Sequence, residues 1–180
     1  MIAFLLAACG QPQTLVGNPL PSAVAPNFTL LDGPTGELVT LSSFTGRAVL
    51  LTFLYTSCVD TCPLTAETLR NARDRLGDAA KNVAFIAVSV DPIGDTPVTT
   101  RRFVEDHRLQ GTLRYLIGSR GDLAKVWQAY GIFQEQGSQS VGHTDVIYLI
   151  DKHERGRVVL HSDVGVDALA TDLRILAGER

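Results

Sequence analysis

The sequence predicts an α/β domain with a central mixed sheet flanked by helices, and three features support this. Two continuous apolar, β-rich runs at 48–55 and 83–90 are typical of strands that are buried on both faces. A helical pattern from Pro63 to about Leu76 joins them, which gives a β-α-β unit with a right-handed crossover. A hairpin at 146–161 adds antiparallel strands, and so argues against a doubly wound, flavodoxin-like sheet.

Composition limits the classes of protein that the chain can represent. Of its 180 residues, 45% are hydrophobic and 19% are charged, which suits one domain with a sizeable core. The formal net charge is −3 and no basic run occurs, so we expect no nucleic-acid partner. No apolar run reaches the roughly 20 residues of a membrane-spanning helix.

The N-terminus has the pattern of an exported, anchored protein. The apolar residues 1–8 run into Leu-Ala-Ala-Cys at 6–9, which resembles the lipobox of bacterial lipoproteins. We therefore expect lipidation of Cys9 and attachment to the outer face of a membrane, at the bacterial periplasmic face or cell surface. The alternative is an apolar tail with an idle thiol. Residues 1–9 are thus a signal remnant, 10–25 a proline-rich flexible linker, and 26–180 the domain.

The remaining elements follow in order. A turn signal at 32–36 lies between strand patterns at 28–31 and 38–41 and predicts a hairpin. After the second central strand, the sequence predicts a helix from Thr96-Pro97 to about Leu109, a strand at 114–117, a helix at 122–130, the late hairpin and a helix at 166–177. This order is that of a thioredoxin-like fold with an N-terminal β-hairpin extension.

Two cysteines follow directly on the first central strand. Cys58 and Cys62 lie where that strand ends, and Pro63 is expected to open the next helix, so both thiols are predicted to lie on a turn. The helix N-terminus favours the thiolate form, which binds metals and attacks disulfides. A Cys58–Cys62 disulfide is geometrically plausible, and a purely stabilising bridge in an exported protein is the alternative interpretation.

A histidine from a distant segment is expected to join the thiols. In the predicted topology, the strand that begins near Val146 pairs antiparallel with the strand that ends at Tyr55. The start of one strand then lies beside the end of the other, which brings His143 close to the cysteines. A lone histidine is more often an ordinary surface or capping residue, and only the topology argues for a ligand.

Three motifs together resemble the Sco/SenC family of copper chaperones for cytochrome c oxidase. The resemblance covers about 28–176 and rests on Thr-Ser-Cys-Val-Asp-Thr-Cys-Pro at 56–63, Ser-Val-Asp-Pro at 89–92 with Asp-Thr-Pro at 95–97, and Gly-His-Thr-Asp at 142–145 before an apolar strand. Gly142 departs from the family pattern, since many members have an acidic residue before the histidine.

The resemblance implies one copper ion per chain, held by Cys58, Cys62 and His143. Two soft sulfurs and an imidazole suit Cu(I) and can hold Cu(II) with an added ligand, whereas a structural zinc site would need a fourth protein ligand. It also implies that the chain receives copper from a donor chaperone and delivers it to cytochrome c oxidase subunit II or another exported copper protein.

Two carboxylates and two rival functions complete the set of predictions. Asp91 either orients the site, contacts a partner or is an ordinary turn residue, and Asp145 is a candidate hydrogen-bond partner of His143. Instead of acting as a chaperone, the Cys58/Cys62 pair could act enzymatically, as a thiol-disulfide oxidoreductase or as a thiol peroxidase. We do not expect a true enzyme.

Overall fold

The computed structural model describes residues 14–137 and 141–179. Its strands are β1 (Asn18–Pro19), β2 (Thr29–Asp32), β3 (Leu38–Thr40), β4 (Ala48–Leu54), β5 (Val83–Ser89), β6 (Leu113–Ile117), β7 (Gln134–Gln136), β8 (Val141–His143), β9 (Val146–Ile150) and β10 (Gly156–His161). Its α-helices are α1 (Thr61–Leu76), α2 (Pro97–Asp106), α3 (Arg120–Ala129) and α4 (Val166–Gly178).

Eight of these strands form one mixed sheet in the order β1-β10-β9-β4-β5-β6-β2-β3. β4 and β5 pair in parallel, as do β5 and β6, whereas β9 is antiparallel to β4. Every residue of β4 and β5 is buried, as the two apolar runs predict. The protein has a thioredoxin-like fold, as predicted, and the antiparallel β9 excludes the flavodoxin-like alternative.

The helices cover the sheet with apolar stripes. The buried side chains of α1 include Ala66, Leu69, Ala72 and Leu76, at the spacing of one helical face, and α4 packs against α1 and β4. The indole N–H of Trp127 in α3 donates to the Ser89 carbonyl oxygen at 2.9 Å. The end of β5, next to the site, is thereby tied to α3.

Three predicted helix boundaries were wrong. α3 begins at Arg120 rather than at Asp122, because the Ser119 side chain caps the helix by accepting from the Asp122 N–H. α1 begins at Thr61 rather than at Pro63, because a proline is tolerated anywhere in the first turn, where no backbone N–H donor is needed. Cys62 therefore lies in the helix, and only Cys58 lies on the turn. α2 ends at Asp106 rather than near Leu109, because Arg108 adopts a φ of 56°, which ends the helical path.

The N-terminal segment joins the sheet earlier than the sequence indicated. Asn18 and Pro19 pair with Val159 and Val158 of β10, within the stretch predicted to be a linker. Residues 20–25 continue along β10, where Leu20 N–H donates to the Arg157 carbonyl oxygen at 2.9 Å and Gly156 N–H donates to that of Ala23 at 3.0 Å. Backbone hydrogen bonds, which do not depend on side-chain patterning, explain why proline-rich composition did not reveal this pairing.

The predicted early hairpin is confirmed, since β2 and β3 pair antiparallel and β2 also pairs with β6. The predicted lipidation at Cys9 lies outside the described residues. Within 14–137 and 141–179, no helix has both the length and the apolar character needed to cross a membrane.

Candidate functional site

The two cysteines lie where the central strand β4 meets α1. The backbone N–H of Cys58 donates to the Tyr55 carbonyl oxygen at 3.3 Å, which closes the turn after the strand. The backbone N–H of Cys62, in the first turn of α1, donates to the Cys58 sulfur at 3.3 Å. Both thiols are free, with residue exposures of 7% for Cys58 and 0% for Cys62. A reacting partner can therefore reach this pair only through Cys58.

The surroundings separate the acidities of the two thiols. A hydrogen bond from the Cys62 side chain, with further hydrogen bonds from the backbone N–H groups of Asp60 and Cys62 and from the Tyr55 side chain, lowers the pKa of Cys58 to about 4 despite its burial. The same hydrogen bond to Cys58, followed by burial, raises the pKa of Cys62. At neutral pH the pair is thus one thiolate and one thiol.

Tyr55 contacts both halves of the site. Its side chain hydrogen-bonds the Cys58 sulfur and the Val141 backbone, and its ring lies edge-on to the His143 imidazole with 5.8 Å between ring centroids. Burial, then the hydrogen bond to Cys58, raises the pKa of Tyr55 to about 12, so the phenol stays protonated and donates to the thiolate. Its contacts with Cys58 and His143 give Tyr55 a role that the sequence did not reveal.

His143 lies on a separate two-stranded ribbon, β7 and β8, which brings it to the end of the sheet where the cysteines follow β4. It ends β8, opposite Gln134 of β7, and its Nδ1 lies 3.0 Å from the Thr144 carbonyl oxygen. Phe133 and Thr144 fix the base of the ribbon, since the Phe133 N–H donates to the Thr144 hydroxyl at 2.9 Å and the Thr144 N–H donates to the Phe133 carbonyl oxygen at 3.1 Å.

The three predicted ligands lie at the same end of the sheet, where β4 ends, but their side chains are not arranged around one common metal position. Throughout the described part of the chain, no group of three His, Cys, Asp or Glu side chains is arranged to hold a metal ion. Cys58 and Cys62 are in mutual contact, and the contact that links them to His143 runs through Tyr55.

The two carboxylates named from the sequence have local partners. Asp91 accepts hydrogen bonds from the backbone N–H groups of Ile93 and Gly94, at 3.1 and 3.0 Å, so it shapes the loop after β5. Asp145 accepts a hydrogen bond from the Ser162 hydroxyl. The roles expected of Asp91 as a partner contact and of Asp145 towards His143 stay predictions.

Asp95, which the sequence placed in the Asp-Thr-Pro motif without a role of its own, supports the cysteine turn. Its buried carboxylate accepts the Thr56 N–H at 2.8 Å and the Thr56 hydroxyl at 2.7 Å, and also the hydroxyls of Ser89 at 2.6 Å and Tyr115 at 3.2 Å. Burial raises its pKa, against these hydrogen bonds. Its partners lie 39 and 20 positions away in the chain, at Thr56 and Tyr115, so no local pattern in the sequence reveals them.

The donor atoms fit a soft metal ion and also fit thiol chemistry. A thiolate, a neighbouring thiol and an accessible imidazole are ligands that Cu(I) prefers. The same thiolate can attack a disulfide and form a mixed disulfide with one of its sulfurs. The neighbouring thiol, once deprotonated, can then attack the Cys58 sulfur and displace the partner's thiol, which leaves a Cys58–Cys62 disulfide.

Comparisons with known proteins agree on one family. Its sequence model, described as SCO1/SenC, matches residues 17–177. The SCO1 protein homolog of Bacillus subtilis is 31% identical over 109 residues, which are 61% of this chain and 54% of that protein, so the chain spans about half the length of this relative.

Solved structures extend the likeness to the fold. The structure of Bradyrhizobium japonicum ScoI with copper bound is 30% identical, with a TM-score of 0.76, and the match covers 86% of this chain and 99% of that one. The structure of BsSco, described as having a disulfide switch and as belonging to the Sco family of cytochrome c oxidase assembly proteins, has a TM-score of 0.76 over 92% and 99% of the chains. At 20% identity, this second structure supports the fold alone.

Proposed function

The chain belongs to the SCO1/SenC family, and on that premise we propose that it is a copper metallochaperone that holds one copper ion through Cys58, Cys62 and His143. Copper is its cargo rather than a resident cofactor. The acceptor that we propose is the binuclear copper site of cytochrome c oxidase subunit II, or another exported copper protein.

One observation carries the proposal. A thiolate at Cys58 touches the Cys62 thiol at the edge of the sheet to which the ribbon brings His143, and Tyr55 contacts both Cys58 and His143. Two soft sulfurs and one imidazole from separate elements are a donor set suited to Cu(I). Bradyrhizobium japonicum ScoI, 30% identical, was solved with copper bound, which supports carrying this chemistry to the present chain.

Cys58, Cys62 and His143 contribute differently to copper binding and release. Cys58 is already a thiolate at neutral pH, whereas Cys62 must lose its proton when copper binds, so binding releases a proton. The imidazole then supplies the third donor from the ribbon. Three protein ligands leave one side of the ion open, as transfer to an acceptor requires.

The proposed location follows from the N-terminus. Lipidation of Cys9 would hold the domain at the extracytoplasmic face of a membrane, where an exported acceptor and a copper donor chaperone are both within reach. A Bacillus anthracis relative of the same fold is described as a SCO1/SenC family lipoprotein, at 20% identity.

Copper titration of the reduced protein tests the proposal. Wild type is expected to bind one copper ion per chain, read by X-ray absorption with sulfur and imidazole ligation. Cys58→Ala and Cys62→Ala should lose one-to-one binding, and His143→Ala should keep sulfur ligation but lose the imidazole signal. His153→Ala, at an exposed turn remote from the site, is the matched control and should bind as wild type does. A wild-type protein that binds no copper would refute the proposal.

Thiol-disulfide exchange is the second candidate, favoured by the paired thiolate and thiol at Cys58 and Cys62. It requires both cysteines and is expected to tolerate His143→Ala. Turnover of a protein disulfide without copper binding would favour this function, and rapid consumption of peroxide by the dithiol form would favour a thiol peroxidase.

A further inference from the structure

Most of the exposed large apolar side chains lie on segments that carry or flank the site residues. The described residues hold eight large apolar side chains that face solvent, and five of them stand on segments that border the site: Val59, Leu64, Ile93, Val98 and Phe133. The other three are Val16, Val24 and Leu38. Clustered apolar side chains at a protein surface are typical of the core of a protein–protein interface.

Each of the five belongs to a different part of the site. Val59 lies between the cysteines, Leu64 in the first turn of α1, and Ile93 in the loop that Asp91 shapes. Val98 lies in the first turn of α2, and Phe133 at the base of the ribbon that carries His143. We call these five residues the apolar rim.

A groove opens beside Cys58. It has a volume of about 330 Å³ and runs between the cysteine turn and α2. The residues that line it are Thr56, Ser57, Cys58, Gly94, Thr99, Arg102, Phe103, Asp106 and His107. Two rim residues, Ile93 and Val98, are each adjacent in the chain to a lining residue, Gly94 and Thr99.

Apart from the Cys58 thiolate, the charges of the groove balance one another. Arg102 pairs with Asp106 at 3.5 Å, and burial lowers the pKa of His107, which packs on the Phe103 ring with 4.4 Å between ring centroids. The incoming sulfur or metal ligand engages the Cys58 thiolate itself, and the rest of the groove carries no net charge. An uncharged segment therefore complements its walls better than an acidic or a basic peptide does.

The burial of Cys58 limits what can bind in the groove. Since Cys58 is only 7% exposed, an acceptor must bring its own ligand or sulfur atom down to it. We propose that the groove and the apolar rim dock an uncharged segment of the acceptor protein, with apolar residues flanking the cysteine that takes the copper or exchanges thiols with Cys58. This inference rests on the proposed function and identifies the surface through which the acceptor is recognised.

A metal-free reaction can test the docking surface. The probes are acetyl-Leu-Cys-Leu-amide and acetyl-Ser-Cys-Ser-amide, each as a mixed disulfide with 2-thiopyridine, and the same disulfide of 2-mercaptoethanol as a small reference. The Cys58 thiolate attacks the probe sulfur, the bond to thiopyridine breaks, and thiopyridone leaves and is measured by its absorbance. Cys62 then loses its proton to water and displaces the probe thiol, which leaves Cys58 and Cys62 oxidised to a disulfide.

The full chain is expected to react about tenfold faster with the leucine probe than with the serine probe, the discrimination that an apolar contact typically gives. Ile93→Asp and, separately, Val98→Asp should reduce that preference to about twofold or less, and should leave the rate with the small reference unchanged. Leu38→Asp is the matched control, because Leu38 is 76% exposed and Ile93 is 74% exposed, yet Leu38 lies on β3 at the edge of the sheet. It should keep the full preference.

Three results would overturn the docking surface: no preference in wild type, an equal loss in Leu38→Asp, or equal slowing of the small reference in the rim variants. Val98→Asp decides the matter if Ile93→Asp does not fold. Copper titration of the same variants separates this inference from the proposed function. The rim variants should still bind one copper ion per chain. If the wild-type protein binds no copper, the proposed copper chaperone function is refuted, and the docking surface is then decided by the probe rates alone.

Discussion

The cysteine half and the histidine half of the site are built differently. Cys58 and Cys62 lie at the end of the central strand β4, and Asp95 ties the start of their turn to Ser89 and Tyr115. His143 lies on a ribbon of two three-residue strands that pairs apart from the main sheet. The core therefore fixes the position of the cysteines, whereas His143 depends on a few backbone hydrogen bonds.

This difference teaches how the site can bind and still release a metal ion. A donor pair held in place by the core retains its geometry with or without cargo. In the proposed function the third donor is His143, and its small element would let the imidazole approach copper and withdraw when an acceptor competes for the ion. The comparison predicts that changes in the cysteine half affect acidity and stability strongly, and that changes in the histidine half affect mainly the metal.

The largest expected effect is on the acidity of Cys58. Since its pKa is lowered to about 4, its alkylation by iodoacetamide in the metal-free reduced protein should rise with a midpoint near pH 4. The alkylation of an ordinary cysteine has its midpoint at about pH 8.5. The thiol is protonated below the midpoint and a thiolate above it, so the rate falls as the pH falls through this range. Mass spectrometry assigns the modified residue.

Cys62→Ala is the informative variant for this experiment. The hydrogen bond from Cys62 is the largest cause of the low pKa of Cys58, so its loss should move the midpoint upward. Cys62 itself should remain unmodified throughout the acid range, because it is fully buried and its pKa is raised. A wild-type midpoint near pH 8 would show that the cysteine half is not prearranged.

The next largest effect is on stability. Asp95→Ala should lower the free energy of unfolding by about 3–5 kcal/mol, because it leaves the Thr56 N–H and the hydroxyls of Ser89 and Tyr115 without their acceptor. Denaturant unfolding measures the loss.

Asp91→Ala serves as the comparison for Asp95→Ala, since both carboxylates belong to the same loop. Asp91 accepts only from the N–H groups of its own loop, and its removal should cost about 1–2 kcal/mol. Equal losses in the two variants would contradict the assignment of Asp95 as the support of the cysteine turn.

The smallest effect is expected in the histidine half. His143→Ala should change the free energy of unfolding by about 0.5 kcal/mol or less, because the side chain is half-buried on a small ribbon. The alkylation midpoint of Cys58 should stay near pH 4. Val141→Ala, at a buried position of the same strand, should cost about 1–2 kcal/mol in the same measurement. A loss of that size in His143→Ala would show that the imidazole is part of the core.

The sequence was sufficient for the parts of the fold that depend on apolar periodicity. β4 and β5 were predicted because a strand buried on both faces leaves a continuous apolar run, and α3 and α4 because their stripes and flanking glycines are local signals. The position of Cys58 and Cys62 at the end of β4 followed from the same reasoning, and the family assignment rests on three motifs in order.

What the sequence could not reveal depends on long-range polar contacts. Asp95 reaches Tyr115 across 20 positions, and Tyr55 meets Val141 and His143 from a different sheet element. The ribbon that carries His143 contains glutamines and a glycine, so it has no apolar alternation to mark it as strand. The sequence places His107 at the polar end of a helix, where a solvent-exposed side chain is expected, yet it lines the groove beside Cys58.

The two marginal strands of the main sheet are short, which disfavours edge-to-edge association between copies of the protein. At one margin β1 has two residues and ends in Pro19, which has no N–H to offer, while at the other β3 has three residues. In the part of the chain that the structure describes, neither marginal strand offers a neighbouring molecule a long row of free backbone donors and acceptors onto which to add a strand. Chains at high local concentration are thereby protected from polymerising through their sheets.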